Sequence, residues 1–201
     1  ASNRAACAAL QSRGWEVVIN GSIVSEYSLS LDGSNDYVAV GTINIGKTHT
    51  LSGWHKASGA INADNTIFGG DTATYILLVG YGKIYYACIG TSAVTVDYVP
   101  GENWHHYSVV RTGTSVDFYV DGVQVGVTKT LSADNDAVVK YLGRYETDKY
   151  LNAEIDECAI WDAALDADAV AAVYNSGSPI NLNQDKGNYD NKGDLVSWWR
   201  M

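Results

Sequence analysis

Acidic residues near position 155 are the first candidates for chemistry. The segment Glu154-Ile155-Asp156-Glu157-Cys158 reads as a strand, in which alternate residues share a face. Retaining glycoside hydrolysis needs two carboxyl groups about 5–5.5 Å apart, one to attack and one to protonate the leaving group. Glu154 and Asp156 share a face, but the next position in phase is Cys158, whose thiol in an apolar run cannot be the general acid. The sequence therefore predicts no catalytic residue, with Asp156 anchoring a loop or a metal and Glu157 facing solvent or an ion-pair partner.

A second group of oxygen donors lies within one turn. Asp32-Gly33-Ser34-Asn35-Asp36 offers carboxylates and backbone carbonyls within five residues. A calcium ion takes six to eight oxygen ligands, which such a turn and one distant acid can supply. The spacing and the terminal Glu of an EF-hand are absent. The alternative is an Asx-turn, in which Asp32 and Asn35 bond their own backbone.

Tyrosines near predicted turns can stack against the apolar face of a sugar ring. One group lies at the turn Gly80-Tyr81-Gly82 and in the strand after it, and another lies between residues 144 and 150. An arginine and an aspartate in the second group can bond sugar hydroxyls. The predicted ligand-binding residues are Tyr81, Tyr85, Arg144, Tyr145, Asp148 and Tyr150. The alternative is that these are ordinary strand tyrosines.

Histidines and cysteines give no pattern suited to zinc binding or nucleophilic catalysis. His105 and His106 are adjacent on a predicted strand, so their rings face opposite ways and cannot chelate one ion. Cys7, Cys88 and Cys158 are far apart, lack a nearby histidine, and allow at most one disulfide. Cys88 and Cys158 lie in apolar runs, and we expect them to be buried free thiols.

Composition limits both the fold and the partners. A chain of 201 residues suits one main domain, and twenty glycines, fourteen tyrosines and two prolines favour short strands joined by turns. The formal net charge of −10 repels nucleic acid phosphates and anionic lipid head groups. The sequence contains no apolar run of the length that a membrane span requires. We therefore expect neither nucleic acid binding nor membrane insertion.

Strands must position these residues, and the clearest ones lie between residues 104 and 126. The first alternates at the two-residue period of a pleated strand, and Val116 to Val120 is apolar on both faces. Asp121-Gly122 supplies the left-handed backbone of a tight hairpin turn, from which Val123 to Val127 returns. Because the middle strand is apolar on both faces, both faces must be covered. This meander indicates two packed sheets.

Further strands recur along the chain, and one helix follows the last of them. Asp166 is a good N-cap, Val170, Val173 and Tyr174 form an apolar stripe, and residues 175–177 end the helix. Strands at roughly 8–12-residue spacing are typical of a sandwich or jelly roll. The predicted fold is all-β, a jelly-roll sandwich of two antiparallel sheets with one short C-terminal helix.

Four ordered segments resemble the landmarks of laminin-G-like domains of the concanavalin A-like lectin/glucanase superfamily. They are LSLDGSNDYVAVG (29–41), HTLSGWHK (49–56), NWHHYSVVRTGTSVDFYVDGVQVG (103–126) and AEIDECAIWDAALDADAVAAVYNSG (153–177). The resemblance implies a domain over residues 25–178, an N-terminal flanking segment over 1–24, and a C-terminal flanking segment or linker over 179–201.

The resemblance also carries expectations about the sites. It implies one structural calcium ion, with Asp156 as the distant partner of Asp32 and Asp36. The segment at 154–158 is similar to the E-x-D-x-E strand of glucanases in this superfamily, but Cys158 replaces its third acid.

The resemblance, taken with these patterns, implies a non-catalytic carbohydrate-binding or adhesion module of a larger phage or bacterial surface protein. Its partners would be a glycan or a protein surface, with neighbouring domains of the same polypeptide or assembly, in an extracellular, cell-surface or virion setting. One alternative is a structural assembly or decoration domain of a virion or surface fibre that contacts protein only. Another is a glycoside hydrolase, which Cys158 disfavours.

Overall fold

The computed structural model describes residues 18–19, 22–23, 28–58, 65–71, 75–99, 101–146 and 148–201. The helix expected near residues 3–11, and Cys7 with it, lies outside the described residues. Within them, the strands and one α-helix follow one another in this order: β1 (Val18–Ile19), β2 (Ser22–Ile23), β3 (Leu29–Asp32), β4 (Val38–Gly46), β5 (Thr48–Ala57), β6 (Asn65–Gly69), β7 (Tyr75–Gly80), β8 (Lys83–Tyr86), β9 (Val94–Asp97), β10 (His105–Thr112), β11 (Ser115–Val120), β12 (Val123–Gln124), β13 (Lys129–Thr130), β14 (Ala137–Leu142), β15 (Arg144–Tyr145), β16 (Lys149–Tyr150), β17 (Asn152–Trp161), α1 (Ala167–Tyr174) and β18 (Leu195–Trp199).

Two large antiparallel sheets contain most of these strands. The eight-stranded sheet has the order β12-β11-β10-β5-β17-β18, with β13 beside β11 and β3 beside the first half of β17. The six-stranded sheet has the order β4-β14-β6-β7-β8-β9. The jelly-roll sandwich that the sequence predicts is confirmed.

The meander of β10, β11 and β12 forms as its local sequence dictates. Asp121 and Gly122 have φ of 50° and 76°, the left-handed values that the tight turn after β11 needs. The return strand is shorter than expected, because after Gln124 the chain leaves the sheet through Gly126, where φ is 71°. The neighbouring β13 then pairs with the other end of β11.

Apolar side chains fill the space between the sheets and also cover the outer face of the eight-stranded sheet. Val109 and Ile160 belong to the core between the sheets. Their chain neighbours Val110 and Trp161 point to the opposite face, where they pack in a second cluster that includes α1. The helix begins as predicted, since the carboxylate of Asp166 accepts a hydrogen bond from the backbone N–H of Ala169 at 2.8 Å.

Residues 179–201 share this packing. Ile180, Leu182 and Tyr189 are buried in the second cluster with the helix. Strand β18 then pairs with the second half of β17, from Cys158↔Trp199 to Trp161↔Leu195. The segment that the sequence assigns to a flank or linker is therefore an integral strand and cover of the sandwich.

Two further expectations concern cysteines and membranes. Cys88 and Cys158 are both buried and free, as predicted. Among the described residues, no helix is long and apolar enough to cross a bilayer.

Candidate ligand-binding site

Three tyrosines and one arginine meet at one end of the six-stranded sheet, and we call Tyr37, Tyr141, Arg144 and Tyr150 the tyrosine–arginine cluster. Tyr37 follows the Asp32–Asp36 turn and directly precedes β4. The other members come from the end of β14 and from the β15–β16 hairpin, in which Arg144 pairs with Tyr150. The cluster is therefore built by two segments about one hundred residues apart in the chain.

Glycines allow the hairpin to fold against the sheet. Gly143 has φ of 78°, and its backbone N–H donates to the carbonyl of Ile67 at 3.0 Å. A Cβ on Gly69 would lie 2.0 Å from the carbonyl oxygen of Arg144, so only glycine lets the hairpin backbone approach β6 this closely. The main chain of Arg144 is thereby fixed on the sheet.

The four side chains stack on one another. The rings of Tyr37 and Tyr141 meet edge to face with centroids 5.5 Å apart, and Tyr150 lies 6.2 Å from Tyr37. The guanidinium carbon of Arg144 lies 3.9 Å from the centroid of Tyr141 and 4.3 Å from that of Tyr37. These are cation–π distances, so each ring helps to hold the guanidinium in place. Tyr37 remains 40% exposed and can meet a ligand.

Asp71 fixes the cluster from its side. Its carboxylate accepts hydrogen bonds from the Tyr141 hydroxyl at 2.7 Å and from the Lys140 ammonium. The Lys140 bond, followed by the Tyr141 bond, lowers the pKa of Asp71, and the same bond to Asp71 raises the pKa of Lys140. Tyr141 is therefore oriented at its hydroxyl by Asp71 and at its ring by Arg144.

The structure brings together only part of the predicted ligand-binding set. Arg144 and Tyr150 lie in the cluster, and Asp148 is exposed at the tip of the hairpin that bears them. The structure does not support the prediction that Tyr145 binds a ligand. Tyr145 is only 6% exposed, so its ring is packed inside the protein and cannot stack on a sugar. The alternation of β15 turns Tyr145 inward where it turns Arg144 outward.

Tyr81 and Tyr85 lie elsewhere on the same sheet. Tyr81 is 54% exposed at the β7–β8 turn, where its φ is 51°, and Tyr85 is half-buried on β8. Strand β8 is three positions from β14 in the sheet order, which corresponds to roughly 14 Å at the usual strand spacing. These two tyrosines are therefore separate from the cluster.

Sequence reasoning missed Tyr37, Tyr141, Lys140 and Asp71. Tyr37 was within reach, because it directly follows the acidic turn that the sequence marks. Tyr141 gives no local signal, since the position of its ring depends on how β14 pairs with β4.

The three acids of the predicted calcium site do not come together. Asp32 pairs with Asn152 at the start of β17, whereas Asp156 lies four residues further along that strand, roughly 13 Å away. Asp32 Oδ1 accepts the backbone N–H of Ser34 at 2.8 Å, which is the Asx-turn alternative. Asp156 Oδ1 accepts the backbone N–H groups of Glu157 and Met201. Across the described ranges, no three His, Cys, Asp or Glu side chains group as metal ligands.

Calcium is consequently expected to have little effect on stability. We expect the thermal unfolding midpoint in EDTA to change by less than about 2 °C when about 1 mM calcium replaces the chelator, because two turn carboxylates form an incomplete ligand set. The measurement is circular dichroism at one ionic strength, with magnesium as the matched control. A rise specific to calcium that Asp36→Asn removes would contradict this expectation.

The acids of β17 are engaged with the protein itself. Glu154 accepts hydrogen bonds from the Lys56 ammonium at 2.9 Å and the Ser28 hydroxyl at 2.8 Å, and these two bonds, the Lys56 bond first, lower its pKa. Glu157 sits at a β-bulge with φ of 50°, where its carboxylate is buried and accepts from Trp198 and Arg200. Burial raises the pKa of Glu157 to about 7. Glu157 was predicted to face either solvent or an ion-pair partner, and in the structure it pairs with Arg200.

The two packed antiparallel sheets define a class of protein, the jelly-roll domains. The chain belongs to the concanavalin A-like lectin/glucanases superfamily, because the laminin-G-like family model of that superfamily matches residues 32–171. No curated protein sequence matches the chain.

Solved structures share the fold at low sequence identity. A candidate carbohydrate-binding protein from Bacteroides ovatus has a TM-score of 0.60 at 14% identity, over 87% of this chain and 52% of that one. The CBM40 module of a Ruminococcus gnavus IT-sialidase has a TM-score of 0.54 at 10% identity, over 78% and 100%. The native heptameric SAP-like pentraxin of Limulus polyphemus has a TM-score of 0.54 at 16% identity, over 73% and 81%. This chain thus spans about half of the Bacteroides protein.

Proposed function

We propose that this domain is a non-catalytic glycan-binding module of a larger extracellular protein and that it binds sugar at the tyrosine–arginine cluster. The observation that carries the proposal is a partly exposed group of three tyrosines held around an arginine. Aromatic rings bind the apolar faces of sugars, while charged groups beside them bond the hydroxyls. Arg144, Asp71 and the hairpin tip at Asp148 supply such groups.

Two comparisons support this proposal. The superfamily to which the chain belongs takes its name in part from lectins. The Bacteroides ovatus protein and the Ruminococcus gnavus CBM40 module share the fold, and the names of both indicate carbohydrate binding.

The acids of β17 support binding without catalysis. Glycoside hydrolysis needs two carboxyl groups that face the same bond of the ligand. Glu154 is bound to Lys56, Asp156 holds backbone N–H groups, and Glu157 is buried beneath the C-terminal strand. These three carboxylates have separate partners, so we expect no release of reducing sugar from any glycan that binds.

The setting we propose is a cell surface or a virion, where such a module would attach a larger protein to glycans. Binding to a broad glycan array tests the function as a whole. Absence of binding across the array would contradict it and would favour the assembly role, in which the domain contacts protein only.

Removing the Tyr37 ring should weaken glycan binding. We expect Tyr37→Ala to raise the dissociation constant by about tenfold, which corresponds to about 1.4 kcal/mol and to the loss of one stacking ring. The measurement is titration calorimetry with the strongest ligand from the array. Tyr81→Asn is the matched control, because it removes a ring that is even more exposed than that of Tyr37, while asparagine tolerates the left-handed backbone at that turn. A loss in the Tyr81 variant with none in the Tyr37 variant would place the site on the β7–β8 turn instead.

A further inference from the structure

We infer that the glycan bound at the tyrosine–arginine cluster carries a carboxylate and that Arg144 binds this group. The inference rests on the proposed function and adds the chemical class of the ligand. It comes from a feature of Arg144 that binding of a neutral sugar does not require, a guanidinium that is oriented by its neighbours and has no anionic partner.

The orientation of Arg144 comes from both sides. Its guanidinium carbon lies within about 4.3 Å of two ring centroids, those of Tyr37 and Tyr141. The backbone of Arg144 is held by its pairing with Tyr150 and by its close approach to Gly69. A side chain placed in this way loses little further freedom when it binds a ligand, which is the condition for strong use of its donors.

The side chain of Arg144 makes no hydrogen bond or ion pair with any described residue. Its Nε is buried and has no hydrogen-bond partner. Neither Nη group is buried in this way. The nearby carboxylate of Asp71 is already bonded to Lys140 and Tyr141. The planar fork of the guanidinium is thus left for a partner from outside, and a planar carboxylate is the group that fits it with two parallel hydrogen bonds.

The charges around Arg144 favour one carboxylate over a densely charged polymer. Asp36 adjoins Tyr37, and Glu146 and Asp148 lie in the hairpin that bears Arg144. The whole chain also has a formal net charge of −10. A polyanion would be repelled by this surface, whereas a single carboxylate in contact with Arg144 gains a short-range, charge-assisted interaction that exceeds the repulsion from more distant acids.

The experiment compares sugars that differ only in this group. Amide NMR titrations of the whole chain with D-glucuronate and with D-glucuronamide isolate the carboxylate, and N-acetylneuraminate and glucose 6-sulfate distinguish the source of the charge. We expect glucuronate or N-acetylneuraminate to bind at least about tenfold more tightly than glucuronamide. The shifted resonances should include those of residues 37, 141 and 144.

Variants then assign the effect to one residue. Arg144→Gln should lower the affinity for the carboxylate sugar by about tenfold or more and reduce the preference for glucuronate over glucuronamide to less than about threefold. Lys47→Gln removes one positive charge from an exposed side chain at the β4–β5 turn and should change neither. The glucuronate and glucuronamide comparison in the unmodified chain remains decisive if Arg144→Gln does not fold.

Three outcomes would overturn the inference. Glucuronamide could bind as tightly as both carboxylate sugars, glucose 6-sulfate could bind more tightly than either of them, or Arg144→Gln could leave carboxylate binding unchanged. Neutral glycans that bind in a Tyr37-dependent way without any preference for carboxylate would refute this inference and leave the proposed function intact. Failure of every probe, together with a silent array, would refute both.

Discussion

Acidification from pH 7 to pH 5 is expected to lower the free energy of unfolding by about 4 kcal/mol. Three of the four histidines, His49, His55 and His106, are buried. Burial, followed by the positive charge of Arg111, lowers the pKa of His49 to about 3, and burial lowers those of His55 and His106 to about 4. The loss of stability therefore originates inside the sandwich.

The direction follows from where each state takes up protons. In the unfolded chain the three imidazoles bind protons as the pH falls through about 6.5, while in the fold they stay neutral until about pH 4. Each buried histidine therefore lowers the free energy of unfolding by about 2 kcal/mol between pH 7 and pH 5. Glu157 has the opposite effect, because its pKa near 7 lets the folded state bind a proton that the unfolded chain binds only near pH 4.5. This proton raises the free energy of unfolding by about 2 kcal/mol at pH 5. The balance is a net loss.

Urea unfolding at pH 7, 6 and 5 measures this effect, with His55→Phe as the test of its origin. The His55 ring packs edge to face on Tyr107 with centroids 5.7 Å apart, and its Nε2 has no hydrogen-bond partner in the part of the chain that the structure describes. Phenylalanine keeps the ring contact and cannot bind a proton, so the loss between pH 7 and 5 should shrink by about 2 kcal/mol. Equal stability of the parent protein at both pH values would show that the buried imidazoles become charged within the fold.

Local rules of sequence were enough for the fold. The Asp121-Gly122 turn and the Asp166 cap involve residues close together in the chain, so their types determine their backbone geometry. Alternation in β10 and β11 likewise predicts which residues enter the core. Val116 and Phe118 on one face of β11 and Tyr119 on the other are buried, so this strand is covered on both faces, although Asp117 remains polar and accepts hydrogen bonds from Gln124 and Thr128.

The site was less predictable because it depends on register and bulges. Tyr37 meets Tyr141 only because β4 pairs with β14, and that pairing has register shifts that strict alternation does not anticipate. A second bulge, between Asp156 and Ala159 on β17, buries the carboxylate of Glu157. Pairing of Asp32 with Asn152 in turn places Asp156 four residues away from the acidic turn. Each of these facts joins segments that are far apart in the sequence.

Loss of Arg111 should destabilise the fold about as much as acid does. Arg111 follows Tyr107 and Val109 on the inward face of β10 and is fully buried, and we expect Arg111→Met to lower the free energy of unfolding by about 3–5 kcal/mol. Its Nε donates to the carbonyl of Gly113 at 2.7 Å, and one Nη donates to the carbonyl of Asn135 at 2.6 Å. Methionine fills part of the space but leaves these partly buried carbonyls without the donors of Arg111.

The other donors of Arg111 connect it to a buried polar network. One Nη donates to the Tyr86 hydroxyl at 3.1 Å and to the Cys88 sulfur at 3.4 Å, and the Tyr86 hydroxyl in turn contacts His49 Nε2 at 3.0 Å. Lysine keeps the charge but has three donors and no planar fork, so Arg111→Lys should recover only part of the lost stability. Urea unfolding at pH 7 measures both variants.

The interaction of Arg111 with Asp134 is not the main source of this loss. The Asp134 side chain is 44% exposed and also lies 3.5 Å from Lys47, so removing Arg111 leaves its carboxylate solvated. Replacing a buried ion pair by apolar groups is often neutral, whereas stranding buried acceptors costs about 1–3 kcal/mol for each. Asp134→Asn should therefore cost less than about 1 kcal/mol, and Lys47→Gln, at an exposed pair, less than about 0.5 kcal/mol. If Asp134→Asn instead cost as much as Arg111→Met, the ion pair and not the carbonyl and hydroxyl acceptors would be what holds this end of the core.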